Sequence, residues 1–88
     1  MFEWDEQKRL WTIKERGLDF IDAAAAFDGR SALHFRAKDG GEERFVTIAV
    51  IENKCFTVIW TWRGDARRIV SFRRSQDGEE KKYRARYR

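Results

Sequence analysis

The 88-residue sequence carries 19 Lys and Arg against 15 Asp and Glu, a formal net charge of +4. Hydrophobic residues make up 42 % of the chain, which is enough for one folded domain, residues 1–88, but not for two separate cores. A single cysteine excludes an internal disulfide, and with only one histidine a four-ligand Cys/His zinc site is excluded too. The N-terminal residues do not resemble a signal peptide and the apolar runs are too short to span a membrane, so we expect a cytoplasmic protein.

The basic charge is concentrated in the C-terminal third of the chain. Residues 1–62 hold nine Lys and Arg against eleven Asp and Glu, whereas residues 63–88 hold ten against four. Thirteen of the basic residues are Arg, whose guanidinium group binds two phosphate oxygens at once. The sequence therefore predicts an acidic or phosphate-bearing partner for this third of the chain.

The first 27 residues predict a short strand and two helices. A strand over residues 2–4 is followed by a helix over residues 6–16, with Asp5 as its cap and Gly17 as its end. A second helix over residues 20–27 begins after another capping residue, Asp19, and repeats apolar residues at helical spacing.

Alternating apolar residues beyond Gly29 predict an antiparallel meander of four strands. Tight turns are expected at Asp39-Gly40-Gly41, at Glu52-Asn53-Lys54 and at Arg63-Gly64-Asp65. A last helix follows Asp77, with acids in its first turn and bases, up to Arg88, towards its end. We expect a two-layer α+β domain, in which two N-terminal helices and a C-terminal helix pack on one face of an antiparallel sheet.

The densest charge cluster lies on one turn and one strand, with Asp65 as its local counter-charge. Its members are Arg63, Arg67, Arg68, Arg73 and Arg74. Such a cluster is either a solvated basic face or a phosphate-binding site. The acidic residues fall at caps and turns rather than in a metal-binding pattern, and one histidine cannot support two-histidine acid–base catalysis.

If the protein is an enzyme, RNA is the substrate that suits these residues. The 2′-hydroxyl of RNA is an internal nucleophile, so the substrate itself supplies proximity. The protein then has to align the reacting oxygens, stabilise charge on phosphorus with guanidinium groups and move two protons. This chemistry requires neither a metal ion nor another cofactor.

Four segments of the sequence form a recognisable set. They are Phe2-Glu3-Trp4-Asp5-Glu6-Gln7-Lys8, Gly17-Leu18-Asp19-Phe20, Gly41-Glu42-Glu43-Arg44-Phe45 and Arg68-Ile69-Val70-Ser71-Phe72-Arg73-Arg74. In their order and spacing they resemble the BrnT family of toxins. The resemblance implies a RelE-like fold and a metal-independent endoribonuclease that inhibits translation. It also implies neutralisation by a BrnA-type antitoxin, in an assembly of two toxins and two antitoxins that contacts DNA only through the antitoxin.

The resemblance also indicates which residues act on RNA. It assigns phosphate binding and stabilisation of the transition state to Arg63, Arg73 and Arg74. Glu43, Arg44 and Tyr83 are candidates for proton transfer or substrate positioning, although we expect Glu43 rather to pair with one of these arginines. Further candidates for RNA contacts are Arg44, Arg67, Arg68 and Trp62.

Two other hypotheses use the same basic surface. In the first, the protein binds RNA without cleaving it, and exposed aromatic residues such as Trp62 stack on bases. In the second, the arginines dock an acidic partner protein. The first predicts salt-sensitive binding with intact RNA, and the second predicts a tight protein complex without specific affinity for RNA.

Overall fold

The computed structural model describes residues 1–87, without the side chain of Asp39, and has an α+β architecture. Its elements are β1 (Phe2–Trp4), α1 (Glu6–Arg16), α2 (Phe20–Ala23), a 3₁₀ helix (Ala24–Phe27), β2 (Ala32–Asp39), β3 (Glu42–Ile51), β4 (Lys54–Arg63), β5 (Ala66–Arg74) and α3 (Asp77–Arg86). The α+β class is confirmed. Arg88, which the sequence assigned to the end of the last helix, lies outside the described residues.

Helix α1 begins and ends at the residues that the sequence predicts. The Asp5 carboxylate accepts hydrogen bonds from the backbone N–H groups of Gln7 and Lys8. At the other end Gly17 has a φ of 67°, in the left-handed region that closes helices, and its N–H donates to the Ile13 carbonyl.

The second helix is shorter than predicted. Asp19 caps it as expected, with its carboxylate accepting from the Ile21 N–H, but α2 stops at Ala23 and the chain tightens into the 3₁₀ helix. Side chains three residues apart are aligned in a 3₁₀ helix. Ala23 and Ala26 are both buried, so the tightening continues the apolar side of α2 along the sheet.

The five strands form one mixed sheet in the order β1-β5-β4-β3-β2. Strands β2 to β5 are the predicted antiparallel meander. The Gly40-Gly41 turn has φ values of 60° and 85°, the left-handed geometry of a two-residue hairpin turn. A wholly antiparallel sheet was a wrong prediction, because β1 runs parallel to β5, with Glu3 opposite Arg68. A strand of three residues has too short an alternation to indicate its direction.

Helices cover both faces of the sheet. On one, the α2 face, Phe20 packs with Val58 and Phe72. On the other, the α3 face, Tyr83 packs with Ile48. The predicted two-layer arrangement, with helices on one face, was therefore wrong. Helix α3 buries little besides Tyr83, so its sequence gives only a weak indication of which face it covers.

A β-bulge at Val70 decides which arginines of β5 share a face. Trp60 lies opposite Ile69, so Val70 is an extra residue in the register between β4 and β5. An extra residue reverses the alternation of side chains on the strand segment that precedes it. As a result Arg67 lies on the α2 face and Arg68 on the α3 face.

Candidate functional site

A polar groove of about 400 Å³ opens on the α3 face. Four elements supply its cationic side chains, which are Lys8 of α1, Arg44 of β3, Arg63 of β4 and Arg68 of β5. We call these four residues the arginine groove. The strand register places Arg68 directly opposite Thr61, which also lines the groove, so the sheet itself brings β4 and β5 side chains together here.

Glu3 bridges two guanidinium groups of the arginine groove. Its Oε2 accepts from Arg68 Nη1 at 2.8 Å and from Arg63 Nη1 at 3.5 Å. The Arg63 side chain is 65 % exposed. One carboxylate shared by two guanidinium groups leaves a net positive charge, and both groups keep further N–H donors. The arrangement can therefore accept a phosphate group.

A third guanidinium group reaches the groove from β3. Arg44 Nη2 lies 3.3 Å from Glu42 Oε2. The Glu42 side chain is 76 % exposed, so water screens this ion pair. An anionic ligand in the groove competes with this exposed carboxylate for the guanidinium group.

Arg73 is held in a separate ion pair on the α3 face. Its two terminal nitrogens each donate to one Glu79 oxygen at 2.8 Å. Glu79 also accepts from the Thr57 hydroxyl and the Gln76 N–H, and these bonds, above all those from Arg73, lower the pKa of its carboxyl to about 2. The pair fastens the first turn of α3 to β4 and β5.

Three more residues of the expected catalytic set lie away from the arginine groove. Arg74 is on the α2 face, where its Nε donates to the Cys55 carbonyl at 3.3 Å. Tyr83 is buried beneath α3, and its hydroxyl donates to the Ser31 carbonyl at 3.2 Å. Glu43 lies 3.4 Å from Arg36, an arginine outside the predicted site.

The remaining two expected RNA contacts lie together on the α2 face. The Arg67 guanidinium carbon is 4.9 Å from the centroid of the Trp62 ring. The structure thus divides the predicted site residues between two faces. It brings Arg44, Arg63 and Arg68 together in the groove and separates them from Arg67, while Trp62, at the end of β4, borders the groove from the α2 face.

Sequence reasoning missed two charged residues of this region, Glu3 and Lys8. Glu3 reaches the arginines because β1 pairs with β5, a contact between distant parts of the chain that carries no local signal. Lys8 lies in the first turns of α1, where a cation indicates only a solvated helix surface. Only a prediction that β1 pairs parallel to β5 would have placed Glu3 beside the arginines.

The described residues offer neither a metal-binding cluster nor a membrane-spanning helix. Among them, no three His, Cys, Asp or Glu side chains lie close enough together to hold a metal ion. None of the described helices has the length and apolar character needed to cross a membrane.

The comparison with known families identifies the chain. A family model for the ribonuclease toxin BrnT of type II toxin–antitoxin systems matches residues 4–79, which include all four residues of the arginine groove. No curated protein matches the chain significantly. Because the family model spans most of the sequence, the chain belongs to the BrnT family of type II ribonuclease toxins.

Proposed function

We propose that this chain is a metal-independent endoribonuclease that cleaves RNA in the arginine groove and thereby stops translation. The observation that carries the proposal is the convergence of Arg44, Arg63 and Arg68 on one groove in a member of a ribonuclease family. Residues 1–88 act as a single toxin domain of RelE-like type, and its site of action is the cytoplasm, where translation takes place.

The proposed reaction is an internal transfer at phosphorus. The 2′-oxygen of one nucleotide forms a bond to the adjacent phosphorus while the bond from phosphorus to the 5′-oxygen breaks. The 2′-hydroxyl loses its proton, the leaving 5′-oxygen gains one from water, and the products carry 2′,3′-cyclic phosphate and 5′-hydroxyl ends. Arg63 and Arg68 stabilise the additional negative charge of the pentacoordinate phosphorus, and Arg44 and Lys8 position the RNA strand.

We assign acceptance of the 2′-hydroxyl proton to Glu3. In the free protein its carboxylate is bound between Arg63 and Arg68. A phosphate that takes over these guanidinium groups releases Glu3 within the groove, next to the bound nucleotide. Substrate binding would thus free the carboxylate that the reaction needs.

Among the other candidates from the sequence, we propose a structural role for Arg73 and Tyr83. Both anchor α3, one through Glu79 and the other through Ser31. Arg74, on the opposite face, serves as a control for the groove.

The test is incubation of the purified protein with RNA in EDTA, followed by analysis of the product ends. We expect cyclic phosphate ends from the wild type and a loss of cleavage of about 100-fold in Arg68→Gln, because a donor to the developing charge is removed. Arg74→Gln, which changes an arginine of the same strand on the other face, should cleave like the wild type. Intact RNA with the wild type, or equal loss in both variants, would contradict the proposal.

The family also implies a protein partner. Toxins of type II pairs are held inactive by an antitoxin, and we propose a BrnA-type antitoxin in a complex of two toxins and two antitoxins. Contact with DNA then occurs only through the antitoxin. Size-exclusion chromatography with light scattering on the co-expressed pair would test this stoichiometry.

A further inference from the structure

Aromatic rings form a continuous cluster at one end of the α2 face. Trp60 lies at its centre, with the ring of Phe45 stacked at 4.8 Å and the rings of Phe27 and Trp62 edge-on at 5.4 and 5.2 Å. Trp60 is buried, whereas 48 % of Trp62 is exposed. The cluster therefore presents an aromatic ring to solvent on a rigid base.

Arg67 lies among these rings, and no acidic partner for it is found in the described part of the chain. Its guanidinium carbon is 4.6, 5.0 and 4.9 Å from the ring centroids of Phe27, Trp60 and Trp62. Its Nε is buried and has no hydrogen-bond partner, and among the described residues no carboxylate pairs with it. Attraction to the rings offsets part of the free-energy cost of removing this charge from water, and a negative group beside the guanidinium would offset more of it.

His34 extends the cluster as an uncharged ring. Its imidazole stacks on Phe27 with centroids 6.1 Å apart, and its Nδ1 lies 2.8 Å from the Thr47 hydroxyl, which also accepts from Trp60 Nε1. Burial, and then the positive charge of Arg67, lower the pKa of His34 below its ordinary value. The ring is therefore neutral at neutral pH and suited to stacking rather than to charge pairing.

We infer that Trp62, Arg67 and His34 form a second RNA-contacting surface, the aromatic platform, which stacks unpaired bases of single-stranded RNA and binds a flanking phosphate. Aromatic side chains at an exposed end of a sheet face, with arginine beside them, are suited to single-stranded nucleic acid, whose bases stack and whose phosphates need a cation. An acidic partner protein would pair with Arg67 but would gain less binding free energy from the exposed Trp62 ring.

The aromatic platform and the arginine groove meet at the end of β4. Trp62 and Arg63 are consecutive, and the alternation of the strand directs them to opposite faces of the sheet. Trp62 also borders the groove itself. A strand of RNA that stacks on the platform can therefore continue around the end of the sheet into the groove, so this inference rests on the proposed nuclease function.

The experiment measures binding apart from cleavage. A labelled single-stranded oligonucleotide with 2′-O-methyl groups has no free 2′-hydroxyl and is not cleaved, and its affinity for the full-length protein follows from fluorescence anisotropy. We expect Trp62→Ala to weaken binding about 10-fold, as is typical of one lost stacking contact. Trp11→Ala is the matched control, because Trp11 is 53 % exposed on α1, outside the platform, and also has an arginine near its ring.

A charge variant provides a second readout. Arg67→Met keeps an unbranched side chain against the rings and removes the charge, so we expect the slope of log affinity against log salt concentration to fall by about 0.7. Equal affinities of Trp62→Ala and Trp11→Ala would overturn the inference, as would competition by polyglutamate as effective as that by RNA of equal charge. Weakened binding by Trp62→Ala would support the platform even if the wild type cleaved no RNA, so the two proposals fail separately.

Discussion

The α3 face carries two arginine–carboxylate clusters that differ in burial and in balance. In the first, Arg73 and Glu79 meet through two bonds of 2.8 Å, and their side chains are only 25 % and 18 % exposed. In the second, Glu3 is shared by Arg68 and Arg63, the latter 65 % exposed.

The difference shows that the same pair of chemical groups can fasten a helix or bind a ligand. A single guanidinium matched to a single carboxylate, away from water, has no charge left over, and loss of either partner leaves an unpaired charge. Two guanidinium groups on one carboxylate, open to water, retain positive charge and can exchange the carboxylate for phosphate. Sequence proximity does not distinguish the two cases.

Replacing the shared carboxylate is the strongest test of the second cluster. We expect Glu3→Gln to lower the rate of RNA cleavage about 1,000-fold, because the acceptor of the 2′-hydroxyl proton is lost. Affinity for the 2′-O-methyl oligonucleotide should stay the same or increase, since Glu3 no longer competes for the arginines. Anisotropy and single-turnover cleavage measure the two effects, and a parallel loss of both would show that Glu3 only positions the arginines.

Replacement of Glu79, the carboxylate matched to a single arginine, should instead lower the stability of the fold. We expect Glu79→Gln to lower the free energy of unfolding by about 3 kcal/mol, because Arg73 is left half-buried without its partner. For a domain of this size the melting temperature would fall by about 15 °C. The neighbouring Glu80→Gln is the control, because Glu80 is 41 % exposed and only 3.5 Å from Arg84. Similar melting temperatures for the two variants would contradict this role.

The free energy of unfolding at acidic pH should also depend on the Arg73–Glu79 pair. Arg73 lowers the pKa of Glu79 from 4.5 to about 2, so the ionised pair contributes fully above pH 4.5 and is lost as the pH falls towards 2. We expect about 2 kcal/mol of the wild-type stability to disappear over this interval, after allowance for partial exposure. Urea denaturation at several pH values should show the difference between wild type and Glu79→Gln narrowing, and curves that stay parallel would contradict the assignment.

The smallest expected effect is the coupling energy within the exposed cluster. A double-mutant cycle on Arg63 and Glu3, in thermodynamic stability, should give about 0.5 kcal/mol or less, because water screens the pair. The same cycle on Arg73 and Glu79 should give several times more. Equal coupling energies would remove the distinction between the clusters.

Local signals in the sequence were sufficient for most elements. Asp5 marks the start of α1, Gly17 marks its end, and Gly40-Gly41 marks the first hairpin turn, because each acts through neighbouring backbone groups. The direction of β1 and the face covered by α3 depend on contacts between distant residues. A three-residue strand and a helix that buries little besides Tyr83 contain too little pattern to indicate either.

The sequence indicates which residue types make up the candidate site, but not how they are arranged in space. The arginine-rich β5 predicts a basic surface, but the sequence could not divide its arginines between the two faces, since the bulge at Val70 sets Arg67 and Arg68 on faces that regular alternation would exchange. It likewise placed Arg73 with the phosphate-binding residues, while its partner Glu79 lies six positions away across a turn. Glu3 was missed because its contacts come from the other end of the chain.

The bulge separates the face of a side chain from its position in the sequence. Ser71 lies opposite Ile59 and Ile69 opposite Trp60, so the pairing of β4 with β5 skips Val70. Loss of the single codon for Val70 would therefore leave Arg67 and Arg68 on the faces that they occupy now. An alignment of related sequences that places a one-residue gap in this strand away from position 70 would thus compare side chains from opposite faces of the sheet.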